Sequence, residues 1–160
     1  MKSSNPYSFP AVQHQLHNKT IITILIAAII GFADSVFLTV EHIMGIVPPC
    51  TIDGCDYVLT SQYASIGPIP TALFGALYYL AILLLIAWHI DRKSAKSIML
   101  LKKIVIIGVI ITVWLTTLQW LVIEAWCQYC LVSAMATFVI AFTIFRVPSA
   151  PLTDSLSKLE

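Results

Sequence analysis

The chain has 160 residues, of which 59% are hydrophobic and only 11% charged, with a formal net charge of +1. A soluble domain carries about 25% charged residues, so this composition excludes a soluble globular domain, and the net charge offers nothing that would attract nucleic acid. The length suits one compact membrane bundle without a second domain.

Taken in chain order, residues 1–18 read as a polar N-terminal tail holding Lys2, His14 and His17, and metal binding by these two histidines has little support. The first apolar run, about Thr20 to Met44, exceeds the roughly 7–15 residues of a leader core and no small-x-small cleavage site follows it. It therefore reads as a membrane span. Asp34 lies inside it, where a carboxylate is costly and is a functional candidate by default. It would relay protons or orient a loop, or be a hydrogen-bonded residue of the bundle interior. His42 reads as a surface imidazole near the end of this span.

Pro48 and Pro49 stop the first span. The connection from Gly45 to Pro70, about 25 residues, is far longer than a usual bundle loop and contains Cys50 and Cys55 around an Asp53-Gly54 turn. The stretch Asp56 to Ile66 predicts a short amphipathic helix capping a pocket between the spans; a plain disordered loop is the competing reading.

A second span is expected over about Thr71 to Ile90, after Pro68 and Pro70, with His89 at its interfacial end. Arg92, Lys93, Lys96, Lys102 and Lys103 form a basic connection, and a third span follows over about Ile104 to Ile123. Gln119 in its outer half would reach a ligand carbonyl or form an interhelical hydrogen bond. Glu124 would accept a thiol proton, though a solvated interfacial acid is the favoured reading. The fourth span, about Cys127 to Phe145, opens with Cys127-Gln128-Tyr129-Cys130 and is followed by Pro148 and Pro151. Gly31, Gly75 and Gly108 fit close helix packing. The expected organisation is a 1–18 tail, a 19–147 four-helix transmembrane domain and a 148–160 tail.

All nine Lys and Arg residues fall in the two tails and the second connection, while all four cysteines fall at the other two connections. The positive-inside rule then puts both termini and the middle loop in the cytoplasm and the cysteines outside. The expected location is an inner or plasma membrane crossed several times.

Four cysteines on that face permit a Cys₄ zinc site, two fixed disulfides, or a redox relay. Zinc supports small soluble modules, which this bundle is not, and Leu131 after the CxxC rules out haem attachment. No metal is expected. A CxxC at a helix start favours a thiolate, because first-turn amides lack internal partners, and a depressed thiol pKa is expected there. Disulfide formation releases two electrons and two protons, the stoichiometry that turns a quinone in the bilayer into a quinol.

The four-span order, the run CDYVLTSQYASIGPIPTALFGALYY, the segment GFADSVFLT and the CQYC opening span four resemble the vitamin K epoxide reductase family, most closely its bacterial and archaeal members, from Gly31 to Phe145. The resemblance implies an all-α bundle of four transmembrane helices with a capping helix. It implies a quinone-dependent thiol oxidoreductase that makes disulfides outside the cytoplasm, with ubiquinone or menaquinone as cofactor. Cys127 and Cys130 match the active-site pair, Cys130 nearer the quinone. Cys50 and Cys55 match the loop pair that takes electrons from a thioredoxin-fold partner; here that partner is expected to be a separate protein, since the chain ends where many bacterial members continue into such a domain. The family order has the partner attacking at Cys55 and Cys50 attacking Cys127. Ser61 matches a serine beside the active site, and Gly75 a small residue of the second span.

Two positions depart from the vertebrate pattern: Thr71 stands for an asparagine and Ala134 for a tyrosine, both of which hydrogen-bond vitamin K in those enzymes. Their absence favours quinone over epoxide reduction. The alternatives are epoxide reduction proper, a scaffold with fixed disulfides, and the unrelated periplasmic disulfide oxidase, in which the two pairs occur in the reverse order.

Overall fold

A computed structural model describes residues 18–92 and 95–146. The expectations for Lys2, His14, His17, Lys93, Pro148, Pro151 and Lys158 lie outside the described residues.

Among the described residues, four helices are long and apolar enough to cross a membrane. They are α1 (Asn18–Met44), α3 (Thr71–Arg92), α4 (Ala95–Leu118) with its continuation through Ile123, and α5 (Gln128–Phe145). A hydrocarbon core of about 30 Å takes about 20 helical residues, and these elements have 27, 22, 24 and 18. α1 packs on α3 and α5, and α4 on the same two helices. The large exposed side chains, such as Ile22, Leu84, Ile110 and Phe142, are apolar; in a bilayer they face lipid rather than water.

Small and aromatic residues set how closely the helices approach. Tyr79 is 1% exposed and its ring lies on Gly31, where a Cβ would collide with it. Its hydroxyl donates to the Ser133 carbonyl at 2.7 Å and lies 3.0 Å from Ser133 Oγ and 2.9 Å from Thr137 Oγ1, tying α3 to α5. Tyr78 lies in the same way against Gly108 of α4.

Three features differ from expectation. α4 begins at Ala95, so Lys96, Lys102 and Lys103 are helical residues, not loop residues. Ile98, Leu101 and Val105 give this turn a buried apolar stripe, which continues the helix while the basic heads reach outward. The capping helix α2 spans only Cys55–Thr60, and a two-stranded hairpin follows, β1 (Ser65–Ile66) against β2 (Ile69–Pro70). Ser61, extended at φ -65° and ψ 158°, ends α2, and Gly67, at φ 64°, and Pro68 form the hairpin turn. His89, expected to border the interface, is buried against α4: it is 4% exposed, with Nδ1 3.1 Å from Ser97 Oγ.

Candidate functional site

The cysteine-bearing end of the bundle is built by two chain reversals. In the first, Gly54 adopts φ 85° and starts α2. A side chain there would strain the backbone and its Cβ would come within 2.9 Å of Ala125. The close approach of Gly54 to Ala125 sets α2 against the α4–α5 corner, with Cys55 and Val58 facing inward.

The second reversal is a π-helical turn, Gln119–Ile123, closed by Glu124 in the left-handed region at φ 53°. The amides of Glu124 and Ala125 both donate to the Gln119 carbonyl. Such turns often mark functional sites. This one places the Gln119 side chain so that its Oε1 accepts from the Cys127 amide at 3.1 Å. Glu124 itself is exposed. Cys127 is the N-cap of α5, and its carbonyl accepts the first helical bond, from Leu131.

Cys50, Cys55, Cys127 and Cys130 fall in one cluster. Cys55 and Cys127 are both 0% exposed, and their sulfurs lie 3.6 Å apart. Cys50 and Cys130 are half-buried on either side. The sulfur contact between the two pairs is thus Cys55 with Cys127, whereas the expected order has Cys50 attacking Cys127.

The expected thiol acidity also needs correcting. The neighbouring Cys130 thiol and, after it, burial push the Cys127 thiol above its ordinary value. Burial also raises Cys55, partly offset by the Cys50 thiol and the Gln128 amide, and desolvation and the adjacent Cys55 thiol raise Cys50. A helix terminus favours a thiolate only where the sulfur keeps solvent or its amides, and here crowding by other sulfurs outweighs that.

Below the cluster lies a cavity of about 760 Å³ between the spans. Cys130 lines it, and Cys127 does not. Asp34, Ser61, Thr71, Gln119 and Ala134 all line the same cavity. Ser61 Oγ donates to the Val58 carbonyl at 2.8 Å, and Thr71 Oγ1 to the Tyr63 carbonyl at 3.0 Å, so both hydroxyls are engaged by the loop. Asp34 Oδ2, Glu41 Oε2 and the Tyr78 hydroxyl are buried with no hydrogen-bond partner, and all three residues line the cavity.

Comparison with known families decides the assignment: residues 22–145 match the vitamin K epoxide reductase family. The chain belongs to that family. No curated protein matches it. Members of the vitamin K epoxide reductase family are membrane oxidoreductases, and this chain is a multi-pass membrane redox enzyme.

Sequence reasoning missed Glu41, Tyr78, Tyr79, Ser133 and Thr137. Two tyrosines inside an apolar span carried a usable signal, since buried Tyr hydroxyls seek partners. It also missed that Gln128 and Tyr129 contact the loop around Cys50, a juxtaposition across more than 70 residues.

Proposed function

We propose that this membrane enzyme passes electrons from a thioredoxin-fold dithiol through Cys50/Cys55 and Cys127/Cys130 to a quinone, making disulfides outside the cytoplasm. The 3.6 Å contact between the Cys55 and Cys127 sulfurs carries this reading, because it joins the two pairs into one path.

The partner thiolate attacks Cys50 Sγ, the half-buried sulfur, and breaks the Cys50–Cys55 bond. Cys55 leaves as a thiolate. The partner's second thiol then releases Cys50, and the partner departs oxidised. Cys55 attacks Cys127 Sγ and breaks the Cys127–Cys130 bond, so Cys130 leaves as a thiolate facing the cavity. Cys50 resolves the Cys55–Cys127 bond, which restores the loop disulfide and frees Cys127. The Cys127/Cys130 dithiol then gives up two electrons and two protons as its disulfide reforms.

A bound quinone supplies the acceptor for those electrons and protons. The cavity suits it: the volume is that of a small-molecule site, the walls are largely apolar, and three of its lining residues, Asp34, Glu41 and Tyr78, carry a buried polar atom with no hydrogen-bond partner. Unpaired buried polar atoms are rare without a reason. Tyr78 would donate a hydrogen bond to a ring oxygen, Asp34 would do so in its protonated form, and Gln119 holds the Cys127 backbone in place. Thr71 and Ala134 give the cavity neither of the two side chains that contact vitamin K in vertebrate members, which supports a quinone acceptor over an epoxide. The basic helix ends Lys19, Arg92, Lys96, Lys102, Lys103 and Arg146 support a cytoplasmic placement of the end opposite the cysteines.

The test is quinone absorbance with a reduced thioredoxin-fold protein as donor. The unsubstituted enzyme should form quinol and Cys130→Ala should not. Equal turnover by the variant would reject the reading.

A further inference from the structure

The residues on either side of Cys50 are tied down, and both ties come from the dipeptide between the CxxC cysteines. Gln128 Oε1 accepts from the Thr51 amide at 3.0 Å and from the Thr51 hydroxyl. Gln128 Nε2 donates to the Pro49 carbonyl at 3.3 Å, and the Tyr129 hydroxyl donates to the same carbonyl at 2.9 Å. The Tyr129 ring is in turn set against Phe37 of α1, with centroids 5.7 Å apart. Pro48 and Pro49 stiffen the segment that carries this carbonyl. Cys50 is thus bracketed between two anchored neighbours.

We propose that Gln128 and Tyr129 are a latch that docks the Cys50 segment on the α5 terminus and thereby fixes the approach of Cys55 to Cys127. They are positioning residues for the exchange between the pairs. A loop of this length samples many conformations, and thiol exchange needs the two sulfurs held in line. The latch supplies that constraint from the same turn that carries the acceptor disulfide. All of its hydrogen bonds lie at exposed positions, so it can release and redock as the pairs exchange. The functional meaning rests on the relay proposed above; the docking does not.

The experiment uses the full chain carrying Cys50→Ser and Cys130→Ser, which leaves Cys55 and Cys127 as the only thiols. Diamide takes two electrons and two protons from them as the Cys55–Cys127 disulfide forms, and peptide mass spectrometry times the bond. Adding Gln128→Ala with Tyr129→Phe should slow bond formation about tenfold or more, as loss of alignment does. Thr51→Val should slow it and Thr51→Ser should restore it, with matching melting temperatures for that pair. Unchanged rates in both the Gln128/Tyr129 and Thr51→Val variants would overturn the latch. No quinone or partner is present, so a failure of quinone reduction leaves the latch standing, and unchanged rates here leave the relay standing.

Discussion

Cys55 Sγ and Cys127 Sγ lie 3.6 Å apart, both shut off from solvent, although 72 residues separate them in the chain. A disulfide spans about 2.05 Å, so a small side-chain rotation closes the gap. Burial separates these two sulfurs from the half-buried Cys50 and Cys130, of which Cys130 lines the cavity.

That asymmetry sets an order of reactivity. In the reduced enzyme, a water-soluble maleimide should modify Cys50 well before Cys55 or Cys127, since buried thiols are inert. Mass spectrometry of partially labelled protein reads the order. Equal labelling of Cys55 would show that the cluster opens freely.

The raised thiol pKa values fix the sign of the pH dependence. Cys50 and Cys55 react as thiolates and both stand above the ordinary thiol value. The reactive form therefore lies on the alkaline side. Between about pH 6 and 8, exchange should accelerate about tenfold per pH unit, because the thiolate fraction grows by that factor. Steady-state quinol formation at saturating reduced partner measures it, and a flat profile over that window would mean that a thiolate is already present.

The unpartnered polar atoms of the cavity make a separate test. Asp34→Asn preserves shape and removes the acid, so kcat for quinone reduction should fall about a hundredfold if the carboxyl moves a proton. Tyr78→Phe removes a hydroxyl with no partner in the protein. Its stability should change by no more than about 0.5 kcal/mol while KM for quinone rises. A large loss of stability in Tyr78→Phe would show that its hydroxyl serves the fold.

Tyr79 behaves in the opposite way. Tyr79→Phe strips the partner from Ser133 and Thr137 in a buried setting, which costs about 1–3 kcal/mol. Gly31→Ala drives a methyl into the Tyr79 ring, and overpacking of this kind costs about 1–3 kcal/mol. Thermal unfolding in detergent should show a lowered melting temperature for each. An unchanged melting temperature for Gly31→Ala would mean that α1 and α3 separate at no cost.

The spans were legible in the sequence because apolar length and proline position are local signals: Pro48, Pro49, Pro68 and Pro70 bracket α1 and α3 closely. The start of α4 was not, because Lys96, Lys102 and Lys103 look like a loop until Ile98, Leu101 and Val105 are seen to share one buried face. The π-turn at Gln119 left no trace, since it depends on how the Gln119 carbonyl meets two amides beyond the helix end. The cysteine spacing pointed to two pairs. It could not order the sulfurs, because that order depends on which side chain of α2 turns inward. The acidity of Cys127 was hidden for a related reason: the Cys130 thiol beside it raises the Cys127 thiol, and a helix terminus read from sequence shows only the amides.

The most direct measurement maps disulfides by mass spectrometry in the Cys50→Ser enzyme as purified under non-reducing conditions. Without Cys50 to resolve it, a Cys55–Cys127 bond should accumulate, with Cys130 left as a free thiol. A Cys127–Cys130 bond alone, with Cys55 persistently free in the folded enzyme, would contradict exchange between the two pairs at Cys55 and Cys127.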